Sequence, residues 1–202
     1  METITIYKYD ELSETAKEAA LESYKESMYQ SYSYNEMINE TIEEDIVEAL
    51  NDLDLGISDV DVCFSLASCQ GDGVSFTGEI IGKENLYKLA GYVYNDNIPN
   101  KIKHIIPFLY SVCFERVTGY LYYHAYSVDT KVIDNYNDFS HDRFLAACEQ
   151  FQSDINDWRV GLCYQYEEAG YETQDYYFSD EAIAEEINLQ EPYFYESGAL
   201  YA

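Results

Sequence analysis

Positive charge is what this sequence has least of. Eleven Lys and Arg stand against 39 Asp and Glu, a formal net charge of −28. Two stretches, 26–82 and 160–202, hold no Lys or Arg at all. Such a chain repels phosphate backbones and anionic lipid, which excludes nucleic acid and membrane as direct ligands. The natural counterpart is a basic protein surface. Solubility alone needs a small fraction of this charge, and the excess opposes the compact state by self-repulsion.

Other scarcities narrow the class. Only three prolines occur and no Ser/Gly/Pro-rich run marks a linker, so 1–202 reads as a single domain. No apolar run is long enough to span a bilayer, and Met1 leads straight into Thr3-Ile4-Thr5-Ile6-Tyr7 rather than a secretory leader. The expected location is cytoplasmic. Five cysteines (Cys63, Cys69, Cys113, Cys148, Cys163) are odd in number and scattered, which reads as free thiols in a reducing compartment.

Histidine is scarce too: His104, His124 and His141 are all there are. A nucleophilic Cys69 would need one of them as its base, and no flanking pattern provides it. Cys63 and Cys69 are too far apart for a zinc knuckle. Asp52-Leu53-Asp54-Leu55-Gly56 lacks the glycine spacing and closing Glu of a calcium loop. The pairs Glu167-Glu168 and Glu185-Glu186 read as solvated helix face. The expectation is a non-enzyme with no metal and no cofactor.

What the chain does have is apolar and aromatic content, 47% and 16%, far above a disordered acidic tail. Residues 3–9 alternate as a strand. Ser13 caps a helix over about 14–30, with Ala16, Ala20, Leu21, Tyr24 and Met28 inward. A second helix spans about 35–53 on Ile38, Ile42, Ile46, Ala49, Leu50 and Leu53, stopped by Gly56. Alternating runs at 60–66 and 74–80 flank Gly71-Asp72-Gly73, a hairpin signal. A helix over 83–95 follows, 101–109 is ambiguous around Pro107, and strands are expected at 110–117 and 120–129. From Ser140, Phe144, Cys148, Phe151, Ile155, Trp158, Leu162 and Tyr166 keep helical spacing over one long amphipathic helix. Ser179 caps a short helix, and a Tyr-rich extended tail ends the chain. The expected class is α+β, a largely antiparallel sheet of five or six strands with several helices.

Charge is uneven along this frame. Residues 1–56 carry 15 acids and 3 bases, 57–137 carry 9 and 6, and 138–202 carry 15 and 2. The sheet-rich middle is ordinary; the helical flanks hold nearly all the excess. Solvated helices usually intersperse both signs, since like charges four apart destabilise them by a few tenths of a kcal/mol. Here Glu14, Glu18, Glu22 and Glu26 stand four apart, relieved in part by Lys17 and Lys25. Glu36, Glu40, Glu44, Glu48 and Asp52 repeat the ladder with no base at all. Each step rises about 6 Å, comparable with the phosphate spacing along a nucleic-acid strand. These nine carboxylates are the candidate partner-binding residues. Adaptation to high salt would also favour acids, but abundant Tyr, Ile and Asn with five Cys is not that composition. Twenty-three tyrosines add clusters (Tyr120, Tyr122, Tyr123, Tyr126; Tyr176, Tyr177, Tyr193, Tyr195) suited to core packing or to anchoring an interface.

Three motifs occur in order along the chain: Asp10-Glu11-Leu12-Ser13 with Lys17-Glu18-Ala19-Ala20, then Gln70-Gly71-Asp72-Gly73-Val74-Ser75-Phe76-Thr77-Gly78, then Tyr122-Tyr123-His124 with Ser127-Val128-Asp129. In these the chain resembles a family of small proteins from bacteriophages and related mobile elements, some loosely called antitoxins. It departs from that pattern at Ser68-Cys69, where the family has an aromatic and Ser. The resemblance implies a phage origin and no catalytic residues. The expected function is then a phage inhibitor, in the host bacterial cytoplasm, that binds a basic host protein such as a CRISPR effector or restriction enzyme by nucleic-acid mimicry. The alternative is an antitoxin or accessory protein that neutralises a basic partner by hydrophobic docking. The sequence carries no signature of oligomeric state.

Overall fold

The computed structural model describes residues 4–67, 69, 71–119, 123–135 and 142–201. Among them are six α-helices and one four-stranded antiparallel sheet. The chain forms two compact units, Met1–Ile42 with Tyr171–Ala202, and Glu43–Gly170. Helices α2 (Tyr32–Asp52) and α5 (Asp142–Tyr177) contribute residues to both.

The first unit is built on α1 (Glu14–Gln30) and α6 (Asp180–Gln190). Both begin at a serine N-cap: Ser13 Oγ accepts from Ala16 N at 3.3 Å, and Ser179 Oγ accepts from Ala182 N at 3.2 Å. Leu12, Ala16, Ala20 and Tyr24 form one core with Ile183, Ile187 and Phe194. The small residues of α1 let the C-terminal tail lie close. A Cβ on Gly198, whose φ is +87°, would come within 2.2 Å of the Ala16 carbonyl oxygen.

The strand expected at 3–9 does not join the sheet. Its described residues make a single antiparallel bridge, Tyr7 to Phe194, with N–H to O distances of 2.9 Å both ways. Lys8 N donates to Glu11 Oε2 at 2.7 Å and turns the chain into a 3₁₀ helix over Tyr9–Glu11, which ends the extended run.

The second unit holds the sheet: β1 (Ile57–Ser65), β2 (Gly73–Ile81), β3 (Leu109–Arg116) and β4 (Val128–Asp134), in that spatial order. Four strands replace the expected five or six. The strand expected at 120–129 begins only at Val128, and residues 120–122 lie outside the described residues. Ala125–Ser127 is instead a 3₁₀ turn. His124 Nδ1 accepts from Tyr126 N at 3.2 Å, and the His124 carbonyl accepts from Ser127 N at 2.8 Å and Ser127 Oγ at 2.7 Å. Side-chain bonds to the local backbone compete with the ladder and win there. The ambiguous segment becomes α4 (Asn100–Ile105) and a 3₁₀ turn, after α3 (Lys83–Tyr94). The core comprises Val74, Phe76, Ile80, Leu86, Leu89, Val112 and Phe151 among others, with Phe76 and Phe114 edge to face at 5.5 Å.

One buried residue breaks the expected pattern of α5. Its inward seam is Phe151, Ile155, Arg159, Cys163, Tyr166 and Gly170, with Trp158 and Leu162 only half-buried beside it. Arg159 is fully buried. Its Nη2 donates to the Val128 carbonyl at 2.7 Å and to Asn156 Oδ1 at 2.9 Å. Gln152, two turns earlier, accepts from Val132 N at 3.2 Å. These α5 side chains thus cover the edge strand β4, whose backbone groups would otherwise invite another strand. Burial lowers the Arg159 pKa and pushes the neighbouring Cys163 thiol up to about 11.

Candidate protein-docking surface

The two carboxylate ladders occupy the solvent faces of α1 and α2. All nine residues, Glu14, Glu18, Glu22, Glu26, Glu36, Glu40, Glu44, Glu48 and Asp52, are exposed. Each helix is oriented by its opposite face. On α2 that face is Ile38, Ile42, Ile46 and Leu50, at most 3% exposed, and a four-residue spacing inward dictates a four-residue spacing outward. Helix α2 starts three residues earlier than its apolar spacing suggests. Ser31 Oγ accepts from Tyr34 N at 3.4 Å and serves as its N-cap.

Counter-charge is scarcer around the ladders than composition suggests. Lys17 pairs with Glu14 at 3.0 Å, a contact that raises its pKa. Lys25, expected to relieve the same ladder, instead reaches Asp180 of α6 at 3.8 Å. Among the described residues no ion pair involves Glu18, Glu22, Glu26 or any member of the α2 ladder. Seven acids and no base lie on α2, all seven exposed. Of the two bases on α5, Arg159 is in the core, so from Phe144 onward no cation reaches the surface.

The turn before β2 is structural by its bonding. Asp72 accepts from Ala67 N at 2.8 Å, Cys69 N at 2.7 Å, Ser65 Oγ at 3.1 Å and Cys69 Sγ at 3.2 Å. The exposed Cys69 thiol therefore faces the Asp72 carboxylate. Gly73 is required by close approach, since a Cβ there would lie 2.8 Å from His124 Cα. Ser68, Gln70 and His141 lie outside the described residues. The pKa of Glu167 in this neighbourhood is raised by burial and by Asp72 and lowered in part by His124. Asp54 is engaged by Lys88 at 2.8 Å. Among the described residues no group of three or more His, Cys, Asp or Glu is arranged to hold a metal, and no helix is long and apolar enough to cross a membrane.

Aromatic rings are exposed in both units, Tyr193 and Tyr195 in the first and Tyr126 and Tyr164 in the second. Arg116 sits 4.6 Å above the Tyr123 ring. Tyr29 and Tyr32, unremarked in the sequence, are 55% and 79% exposed. The signal that would have found them is a tyrosine one helical turn from a glutamate. What this surface can do chemically is attract and hold cations through carboxylates and ring faces. Comparison of the chain with family models, with curated proteins and with solved structures returns no match, so the docking surface rests on its own geometry.

Proposed function

We propose that this protein is a non-enzymatic inhibitor that docks on the nucleic-acid-binding groove of a basic protein and competes with the nucleic acid. The observation that carries this reading is α2: a helix with one face of isoleucine and leucine buried and the other lined by carboxylates that, among the described residues, no ion pair engages. Leaving such a face unrelieved costs stability through repulsion, and a basic partner would recover that cost on binding. The motif resemblance to phage proteins makes the target a host defence protein of the CRISPR or restriction type, in the host cytoplasm. Association should be fast and strongly weakened by salt, as steered encounters are. The test reverses Glu40, Glu44 and Glu48 to Lys and measures displacement of labelled DNA from a candidate effector. The expected result is at least a hundredfold weaker competition with an unchanged thermal transition; unchanged competition removes the ladder from the mechanism.

The number of exposed tyrosines favours a second reading, an antitoxin or accessory protein that neutralises a basic partner by hydrophobic docking. Salt separates the two. The mimic should dissociate as salt rises, whereas a complex held by apolar burial should persist.

A further inference from the structure

The first unit carries an aromatic cluster at its two helix corners. At one corner α1 ends and α2 begins through Ser31 alone; at the other α5 passes to α6 through Phe178 and Ser179. Asn35 braces the first, its amide donating to the Tyr29 carbonyl at 3.0 Å and the Ser31 carbonyl at 2.8 Å. The corners interlock through rings. Tyr29 stacks on Phe178 at 3.9 Å and 6°, Tyr34 meets Phe178 edge-on at 5.7 Å, and Tyr34 Oη donates to the Tyr177 carbonyl at 3.0 Å. Burial there pushes the Tyr34 pKa up to about 12.

Three tyrosines at this cluster keep exposed surface: Tyr29 at 55%, with one face stacked on Phe178, Tyr32 at 79% and Tyr176 at 61%. Each stands one helical turn from an exposed glutamate, Tyr29 after Glu26 on α1, Tyr32 before Glu36 on α2, and Tyr176 after Glu172 on α5. Residues three or four apart share a helix face, which places each tyrosine on the same face as its glutamate. Tyr32 Oη lies 3.5 Å from Glu36 Oε1. The three cations of this unit, Lys8, Lys17 and Lys25, are all held in ion pairs with Glu191, Glu14 and Asp180.

We infer that this corner recognises arginine, and that Tyr29, Tyr32 and Tyr176 anchor an arginine-presenting surface of the basic partner. The inference rests on the docking reading above and names where and by what chemistry the partner is gripped. A guanidinium is planar and weakly hydrated, so it can lie on a tyrosine face while its N–H fork meets the adjacent carboxylate. A lysine ammonium gains the charge contact but less of the stack. Charge alone would treat the two alike; three ring–carboxylate pairs in one unit would not.

The test titrates the full chain with nona-arginine and with nona-lysine at one ionic strength. The expected result is binding of both, with the arginine peptide about tenfold tighter. Tyr32→Leu/Tyr176→Leu, which keeps apolar bulk and leaves the Tyr29 stack intact, should narrow the difference between the two affinities by weakening nona-arginine more than nona-lysine; an undiminished preference for nona-arginine overturns the anchor. Glu36→Gln/Glu172→Gln should weaken both peptides and keep less of the preference. Circular dichroism melts check that the variants are folded. Equal affinity of the unaltered protein for the two peptides overturns the arginine anchor and leaves the acidic docking surface standing. Binding of neither peptide overturns both. Self-association that the tyrosine variant abolishes also overturns the anchor, assigning the corner to a second copy of the chain.

Discussion

The two compact units carry the same net charge on unequal lengths of chain. The unit formed by the two ends has 17 acids and 3 bases, and the central unit 22 acids and 8 bases. The first therefore holds its charge on little more than half as many residues. Its three lysines are all tied into ion pairs, whereas the central unit keeps Lys83, Lys101 and Lys103 at the surface. Their stabilities are arranged differently as well. The central unit closes a hydrogen-bonded sheet and spends one of its cations, Arg159, inside the core. The first unit has no sheet among its described residues and relies on two capped helices and a tail laid across α1. Charge density is highest in the unit whose described residues form no sheet.

Arg159 is where the comparison breaks most readily. Arg159→Ala removes the donors to Val128 and Asn156 and leaves a cavity, and should cost the central unit about 3 kcal/mol. Arg159→Met, which refills the space, should cost clearly less. Urea unfolding measures both; equal losses would mean that the lost hydrogen bonds rather than the lost volume carry the cost. The counterpart in the first unit is Gly198→Ala. With φ +87° and the Ala16 carbonyl in the way, it should cost about 2 kcal/mol and expose the Leu200 amide, which donates to Ser23 Oγ at 2.9 Å. Hydrogen exchange at Leu200 reads that effect without any readout from the sheet.

The smallest expected effect concerns Glu167. A carboxyl whose folded pKa is raised favours the folded state in its protonated form, so its contribution is present at low pH and lost as pH rises through the folded value. Glu167→Gln should therefore stabilise the central unit by a few tenths of a kcal/mol at neutral pH. The gain should vanish below pH ~4, where the unfolded carboxyl is also protonated. A melt series from neutral pH to pH ~4 tests the sign, and a gain independent of pH would assign the effect to packing.

Much of the architecture is local in origin and was legible. The inward spacing of Ala16, Ala20 and Tyr24, the caps at Ser13 and Ser179, the strands either side of Gly71-Asp72-Gly73 and the existence of one long helix through Phe144–Tyr166 appear as read. The buried seam of that helix, however, takes Arg159 and Cys163 in place of Trp158 and Leu162. The failures are non-local or competitive. Residues 3–9 alternate like a sheet strand but pair with the tail at Phe194, and alternation does not say which strand is the partner. His124 and Ser127 carry side chains that bond their own backbone and delay β4 to Val128. Lys25 sits in register with the Glu22 and Glu26 rungs yet answers Asp180, more than 150 positions away.

The sequence by itself determined that this protein has two rows of carboxylates four apart on amphipathic helices, because helical period and apolar spacing are written in neighbouring residues. Only the tertiary structure decided that the two chain ends share one unit, that Arg159 leaves the surface to cover an edge strand, and that Tyr29, Tyr32 and Tyr176 stand out around one ring cluster. Those outcomes depend on which distant groups satisfy one another's hydrogen bonds and exclude water together, and no local pattern records that choice.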